Sequence, residues 1–451
     1  MRYVPIILAF VCGAAACSRA RRDTAEGSPA VPSRPAGCRD VAHGSDLAVV
    51  LADAKDGDSL CLAPGRWTAP LEITKRISVW GPRDAVIAAN RPGSVVTITG
   101  AGAALAGLTI DGSSSRFDKL DAAVHVRADD VRVEGVSVVH SVYGILVEKC
   151  KRATVIDNHV QGDAATGMGM RGDTIRLWET YDSRVLRNLV EDGRDMVVWY
   201  SSRNLIAENR VLRGRYGTHF MYSHDNDVHD NAYVDGVVGI FVMYSKRVTL
   251  ARNLVVNASG ASGMAIGLKD AGDIVVRENL LVRNTVGIYI DNTPGQADES
   301  LTVAGNAIRM CTTAIHMHTT PHAARFDGNS LADNGLQLAA EAGTRPTQAT
   351  WRGNYFDDYA GYDLDDDGIG DLPHEVESAS EDLVAQHAEL AFFRGGPALA
   401  LVDIGSRLLP LWEPRVLLVD AAPRMNAPPL PEVRTVTASS GIRPPEVQHA
   451  D

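Results

Sequence analysis

The chain of 451 residues is 45% hydrophobic and 22% charged, long and apolar enough to bury a sizeable core, which excludes an intrinsically disordered protein. Its formal net charge of -12, without a clustered stripe of Lys and Arg, excludes a protein built to grip a nucleic-acid backbone. The 13 histidines and 10 methionines are the suggestive part of the composition.

Residues 1–17, MRYVPIILAFVCGAAAC, join an early Arg to a short apolar run and small residues, the form of a signal peptide on an exported precursor. The run is too short to span a bilayer as a mature anchor. Ala14-Ala15-Ala16-Cys17 resembles a bacterial lipobox, so lipidation at Cys17 and tethering to the membrane are expected, with plain secretion the alternative. Residues 18–38 form a polar Pro/Gly/Ser linker. Export permits disulfides. Cys38 and Cys61 flank the first folded segment and are either bridged or free, whereas Cys150 and Cys311, far apart in sequence, are expected as buried thiols.

Residues 39–356 carry a repeat. Short β-type runs are followed by a polar turn and then an Asn, at Asn158, Asn188, Asn209, Asn231, Asn253, Asn279, Asn306, Asn329 and Asn354. Runs aligned on the small or turn residue before each, DTIRLW, DMVVWY, GTHFMY, GIFVMY, GMAIGL and GIYIDN, begin at residues 173, 195, 217, 239, 263 and 287, a period of 22 to 24. A propeller blade needs about twice that length, and a leucine-rich repeat shows a leucine framework with a helix per turn. An all-β, right-handed parallel β-helix of the pectin-lyase-like kind fits. Each coil holds two or three short strands, with Asn stacked at the corners, where its side chain tolerates left-handed backbone and bonds its neighbours above and below. The amphipathic stretch 46–54 is the expected cap for the open end of that core.

Alternation along the aligned runs separates two faces. The third residue after each small one, Arg176, Val198, Phe220, Val242, Ile266 and Ile290, is assigned inward, with Arg176 the exception in an apolar column. The flanking positions then point outward: Ile175, Val197, His219, Phe241, Ala265 and Tyr289 in one column, Leu177, Trp199, Met221, Met243, Gly267 and Asp291 in the other. His219 and Met221 share the outer face about 7 Å apart, and Met243 lies one coil on, about 4.8 Å from Met221. His316 and His318 of AIHMHTT fall in the same parity. An imidazole and two thioethers in reach of one point suit Cu(I), which hard cations do not rival there. The plainer reading is that Met, Trp and Phe cover a face packed by a loop or a partner.

Asp173 and Asp195 occupy equivalent places in successive coils. They are either the carboxylate pair of a polysaccharide hydrolase or turn-capping aspartates. No Lys or Arg takes an equivalent outward place beside them to act as a lyase base. Lys269-Asp270 reads as a local salt bridge or a partner contact, and no GxxxxGK[ST] loop is present, so any ATP hydrolysis belongs to a partner.

In residues 357–375, YDLDDDGIGD sets Asp363, Asp365, Asp367 and Asp371 at the spacing of a Ca2+ loop, with Gly368 at the turn. Position twelve is His374 in place of Glu, with Glu375 adjacent, so bound Ca2+ and a solvated acidic turn both stand. Residues 376–451 are a C-terminal cap or tail. Their apolar stretch LALVDIGSRLLPLW is either a terminal cap or a docking element.

The run RGDTIRLW, RDMVVWYSSRN, RGRYGTHFMYSHDND, VGIFVMYSK, SGMAIGLKD, GIYIDNTP and GNYFDDYAGYDLDDDGIGDLP resembles the NosD-type proteins that mature the copper sites of nitrous oxide reductase, over about residues 40 to 425. The resemblance implies a periplasmic, non-enzymatic β-helix protein that partners an ABC transporter of ATPase and membrane subunit. It would receive copper from a chaperone and help assemble the tetranuclear copper-sulfur centre of the apo-reductase. The lipobox-like start departs from that family, whose members resemble ordinary exported proteins. A polysaccharide-active enzyme and a metal-free docking scaffold are the alternatives.

Overall fold

The computed structural model describes residues 29–433 apart from 90–91, 114–116, 342 and 410–413. Cys17 and the signal-peptide segment lie outside the described residues. The chain folds as a right-handed parallel β-helix of about 14 turns. Strands of two to six residues contribute in rotation to three sheets of 16, 13 and 12 strands, and nearly every strand pairs with those three places before and after it in the chain. The core is built from single inward side chains stacked coil on coil. Ile206, Val228, Leu250, Val276, Val303 and Phe326 form one such column, all fully buried. The period-2 alternation of β-branched residues has its cause here, since each short strand has room for one or two inward side chains.

The repeated Asn residues are also inward, and 0 to 1% exposed. From Asn188 to Asn354 each Asn Oδ1 accepts from the backbone N–H and the Nδ2 of the Asn one coil earlier, as Asn209 does from Asn188 at 3.0 and 2.9 Å, while Asn158 Oδ1 accepts from Val136 N–H. Each Nδ2 also donates to a backbone carbonyl, Asn209 to Val185 O at 2.8 Å. The expectation that Asn supplies the left-handed corner is corrected. The residue before it does so, for example Asp157, Arg187, Glu208, Asp230 and Arg252 at φ of 50 to 60°. The Asn is held by its side chain, satisfying polar groups that would otherwise be orphaned in the core.

Both ends are closed. The helix α1 (Leu47–Asp53) is capped by Asp46, whose carboxylate accepts from Ala48 N–H, and it buries Leu47 and Leu51 over the first coil. Cys38 and Cys61 are disulfide-bonded across paired strands, while Cys150 and Cys311 are buried free thiols. Residues 29–32 lie along the outside of the first coils. Trp80 Nε1 donates to Pro32 O at 2.9 Å, Arg83 donates to Pro29 O at 3.0 Å, and Gly135, at φ +61°, leaves the space that Pro32 fills. At the other end the strand Arg415–Asp420 returns to the 16-stranded sheet and pairs antiparallel with His374–Ser378. Asp420 terminates the Asn ladder, accepting from Asn354 N–H at 2.9 Å and Nδ2 at 2.7 Å. Helices α2 (Ala379–Gln386) and α3 (Pro397–Leu408) cover this end through Glu381, which is fully buried and accepts from Ala340 N–H and Arg394, and through Asp403, which binds Ser378 and Ser380. Residues 399–408 of the apolar C-terminal stretch are therefore part of the cap, and α3 leaves Leu401, Ile404 and Leu408 exposed. Among the described residues no helix is long and apolar enough to cross a membrane.

Candidate functional site

The outer face of the 12-stranded sheet carries the soft donors. Its pairing places Arg176, Val197, His219, Phe241, Gly267, Tyr289 and His316 in one outward column. Trp178, Trp199, Met221, Met243, Lys269 and Asp291 stand in the next. The predicted columns hold for the strands of His219, Met243 and Tyr289, with Phe220 and Val242 fully buried beneath them. They are corrected at two strands. Arg176 points outward, and Ile175 and Leu177 point into the core at 0 and 1% exposed, so the first run had been slipped by one residue. Gly267, not Ala265, pairs with Phe241, and Lys269 with Met243, because a longer turn at residues 257–263 delays that strand by two. A slip of one reverses the face of every side chain in a strand.

His219 is 6% exposed. Its Nε2 lies 3.4 Å from Met243 Sδ, and its Nδ1 has no hydrogen-bond partner. Tyr216, Trp199 and Phe241 surround the imidazole with ring centroids at 4.7, 5.4 and 6.1 Å. Burial among these groups pushes the His219 imidazole down to about 4, so at neutral pH it is uncharged with a lone pair free for a ligand. Met221 and Met243 are half-buried partners in adjacent strands. A further thioether that alternation did not reveal, Met264, lies over Gly267 against Phe241, where an alanine Cβ would displace it. The turn residues that follow, Tyr200, Tyr222 and Tyr244, stack as a ladder with centroids 5.4 and 4.9 Å apart.

The remaining predicted residues are placed elsewhere. His316 keeps the outward parity, but it stands four strands from His219 and is bound to Glu341 at 3.0 Å. His318 is exposed, with Tyr289 its ring neighbour at 6.2 Å. Neither joins His219. Lys269 pairs with Asp291 and not with Asp270. Asp173 and Asp195 are not in register, since Thr174 N–H donates to Asp195 O. Both are almost fully buried in an ion cluster that sequence reasoning missed: Arg194 reaches Asp173 at 2.7 Å and Asp195 at 3.4 Å, and Arg215 pairs with Asp195. Both arginines approach from turns just before the strands Asp195–Trp199 and Tyr216–Met221, places that strand alternation does not describe. Burial pushes the Asp173 carboxyl up against the pull of Arg194.

In the acidic loop, ligand atoms of Asp363, Asp365 and Asp367 gather within 4.8 Å of one another, the one such group of His, Cys, Asp and Glu among the described residues. Asp363 also accepts from Gly368 N–H at 2.8 Å, while Asp371 turns to Leu364 N–H at 2.7 Å. His374 is buried against Phe356, ring centroids 4.4 Å apart, with its Nε2 3.5 Å from Asp358 and outside the group of Asp363, Asp365 and Asp367.

Residues 156–361 match the family model described as Periplasmic copper-binding protein (NosD). A probable ABC transporter binding protein NosD of Pseudomonas aeruginosa is 27% identical over 79% of this chain and 86% of its own length. The protein of the same name from Stutzerimonas stutzeri is 24% identical over 79% of this chain and 84% of its own. Among solved structures, the catalytic unit of a GH87 α-1,3-glucanase from Streptomyces thermodiastaticus aligns with a TM-score of 0.51 over 74% of this chain and 71% of its own, at 15% identity, a likeness of fold alone. The glucanase shares the scaffold alone, whereas the family-model match runs through the His219 and Met243 coils and, with the two bacterial relatives, supports the NosD family.

Proposed function

We propose that the chain is a periplasmic, non-enzymatic accessory protein that takes Cu(I) as cargo on the outer face of the 12-stranded sheet and serves assembly of the copper-sulfur centre of nitrous oxide reductase. The observation that carries the reading is the His219 imidazole, buried and neutral, with Nε2 3.4 Å from Met243 Sδ and Nδ1 unpartnered. Nitrogen and sulfur donors bind one ion through bonds of about 2.0 and 2.3 Å, so two of them sharing an ion lie about this far apart. An imidazole with thioethers selects Cu(I) over hard cations. Met221 supplies the second thioether, and Tyr216, Trp199 and Phe241 limit water at the site.

In this reading an ABC transporter supplies the energy through its ATPase and membrane subunit, a copper chaperone delivers the ion, and the apo-reductase receives its product. Lipidation at Cys17 holds the protein at the membrane, and the Asp363, Asp365 and Asp367 loop takes Ca2+ in a structural role. The test is titration of the reduced mature protein with Cu(I) against a competing chelator, repeated with Met221→Leu and Met243→Leu. Equal affinity across the three proteins removes the copper face. Co-purification with an ATPase and a membrane subunit, without copper binding, would favour a docking scaffold, and polysaccharide cleavage lost in Asp195→Asn would restore the enzyme.

A further inference from the structure

We propose that the same outer face binds a small oxyanion, in a cavity upstream of His219 whose anchor is Arg176. The cavity encloses about 210 Å3 and is walled by Lys119, His125, Arg127, Glu148, Arg176 and Trp178. Its floor is the 12-stranded sheet itself, through the strands Ala122–Val126, Tyr143–Glu148 and Ile175–Trp178.

Arg176 is the group that needs explaining. Its side chain is 13% exposed, and its ion-pair contact is one long approach of 3.4 Å to Asp173, a carboxylate already held by Arg194 at 2.7 Å. The guanidinium lies 4.5 Å over the Trp178 ring and 5.6 Å from that of Trp199. A guanidinium carries five N–H donors in a planar fork, and sheltering such a cation with most donors unengaged is costly unless a ligand meets them.

The carboxylates on the cavity wall do not answer that need. Glu148 is engaged by His125 at 3.1 Å and by Arg127 at 3.2 Å, and Asp121 accepts from Gly93 N–H at 3.2 Å. Lys119 and Arg127 add positive potential at the mouth, each with a side chain just over half exposed. Since Arg176 covers the Trp178 face, that indole offers no stacking surface for a sugar ring or a nucleobase. An oxyanion presents paired acceptors that match the fork.

Arg176, Val197 and His219 are successive members of one outward column, so an anion on Arg176 sits about 10 Å from the His219 imidazole. The inference does not rest on the copper reading, and its test uses copper-free protein. The full chain is titrated with sulfate, thiosulfate and phosphate at fixed ionic strength, followed by calorimetry and by tryptophan fluorescence, with thermal unfolding as the check on folding. Saturable binding of at least one anion is expected, weakened about tenfold or more in Arg176→Met and less in Arg176→Lys. A preference among the three supports the proposal and names the ion. No saturable response to any of them overturns it, as does unchanged affinity in a folded Arg176→Met. Should that variant fail to fold, Arg127→Gln at the solvated mouth takes its place, and unchanged affinity there overturns the proposal equally.

Discussion

Acidification should leave Cu(I) binding at His219 almost untouched down to about pH 5, where an ordinary histidine ligand would already have lost it. An imidazole near its usual value of about 6.5 is almost wholly protonated at that pH, and proton competition weakens its metal affinity about 30-fold relative to neutral solution. Burial holds His219 at about 4. About nine in ten of these imidazoles therefore stay neutral at pH 5, and the loss is under about twofold. The assay is competition with a Cu(I) chelator whose own affinity is constant over the range, run on the wild type and on Met243→Leu. The wild-type curve should be flat, and the variant, lacking the thioether 3.4 Å from Nε2, should lie about tenfold or more below it at every pH. A 30-fold fall in the wild type refutes the argument from burial, and coincident curves refute the ligand assignment. The same shift gives stability a pH slope. The folded value lies below the unfolded one, so the contribution is complete above about pH 6.5 and is lost as pH falls toward 4, by up to about 3 kcal/mol. Urea midpoints of His219→Gln should lack that slope.

Asn209→Ala removes an acceptor from Asn188 and a donor to Val185 O and Asn231, and it should cost about 3 kcal/mol or more in urea unfolding; a variant within about 1 kcal/mol of wild type contradicts the ladder. Asp195→Asn leaves Arg215 and Arg194 facing a neutral amide in a buried cluster, for an expected loss of about 3 to 5 kcal/mol, and unaltered stability would show that the ion pairs do not hold the coil. Replacing Cys38 and Cys61 by Ser opens a link between residues 23 apart and should cost about 3 kcal/mol under oxidising conditions, with no effect once the wild type is reduced. Millimolar Ca2+ should raise the thermal midpoint over that in chelator, and Asp365→Asn should abolish the rise; no rise in the wild type leaves the loop as a solvated turn.

The coil period and the face carrying His219, Met221 and Met243 were legible because each short strand repeats one or two inward apolar residues, as Phe220 and Val242 do. Register failed where turns change length. The strand of Arg176 begins one residue later than its small-residue marker suggests, and the sign of the error was already present in a charged residue assigned to an apolar column. The Asp173 and Asp195 cluster was hidden for a different reason: Arg194 and Arg215 reach it from turns, and alternation within strands carries no information about turn residues. Met264 escaped because its thioether lies over Gly267, three places along the same strand, so that the missing side chain is the signal. The separation of His316 from His219 was countable from the period, which places the two in the same parity but four coils apart.

The asparagine ladder makes the molecule a graduated rule. From Asn158 to Asn354 each coil is locked to the last through the same side-chain bonds, so positions along that part of the outer face are separated by whole multiples of about 4.8 Å. Insertion of one full coil of 22 or so residues between Arg176 and His219 would move the two apart by a single graduation and keep both on the outer face. Loss of one residue would instead turn a strand inside out. The natural unit of change in this chain is therefore the coil, and duplication or deletion of such units gives a lineage a way to retune the spacing of its surface chemistry without redesigning any of it.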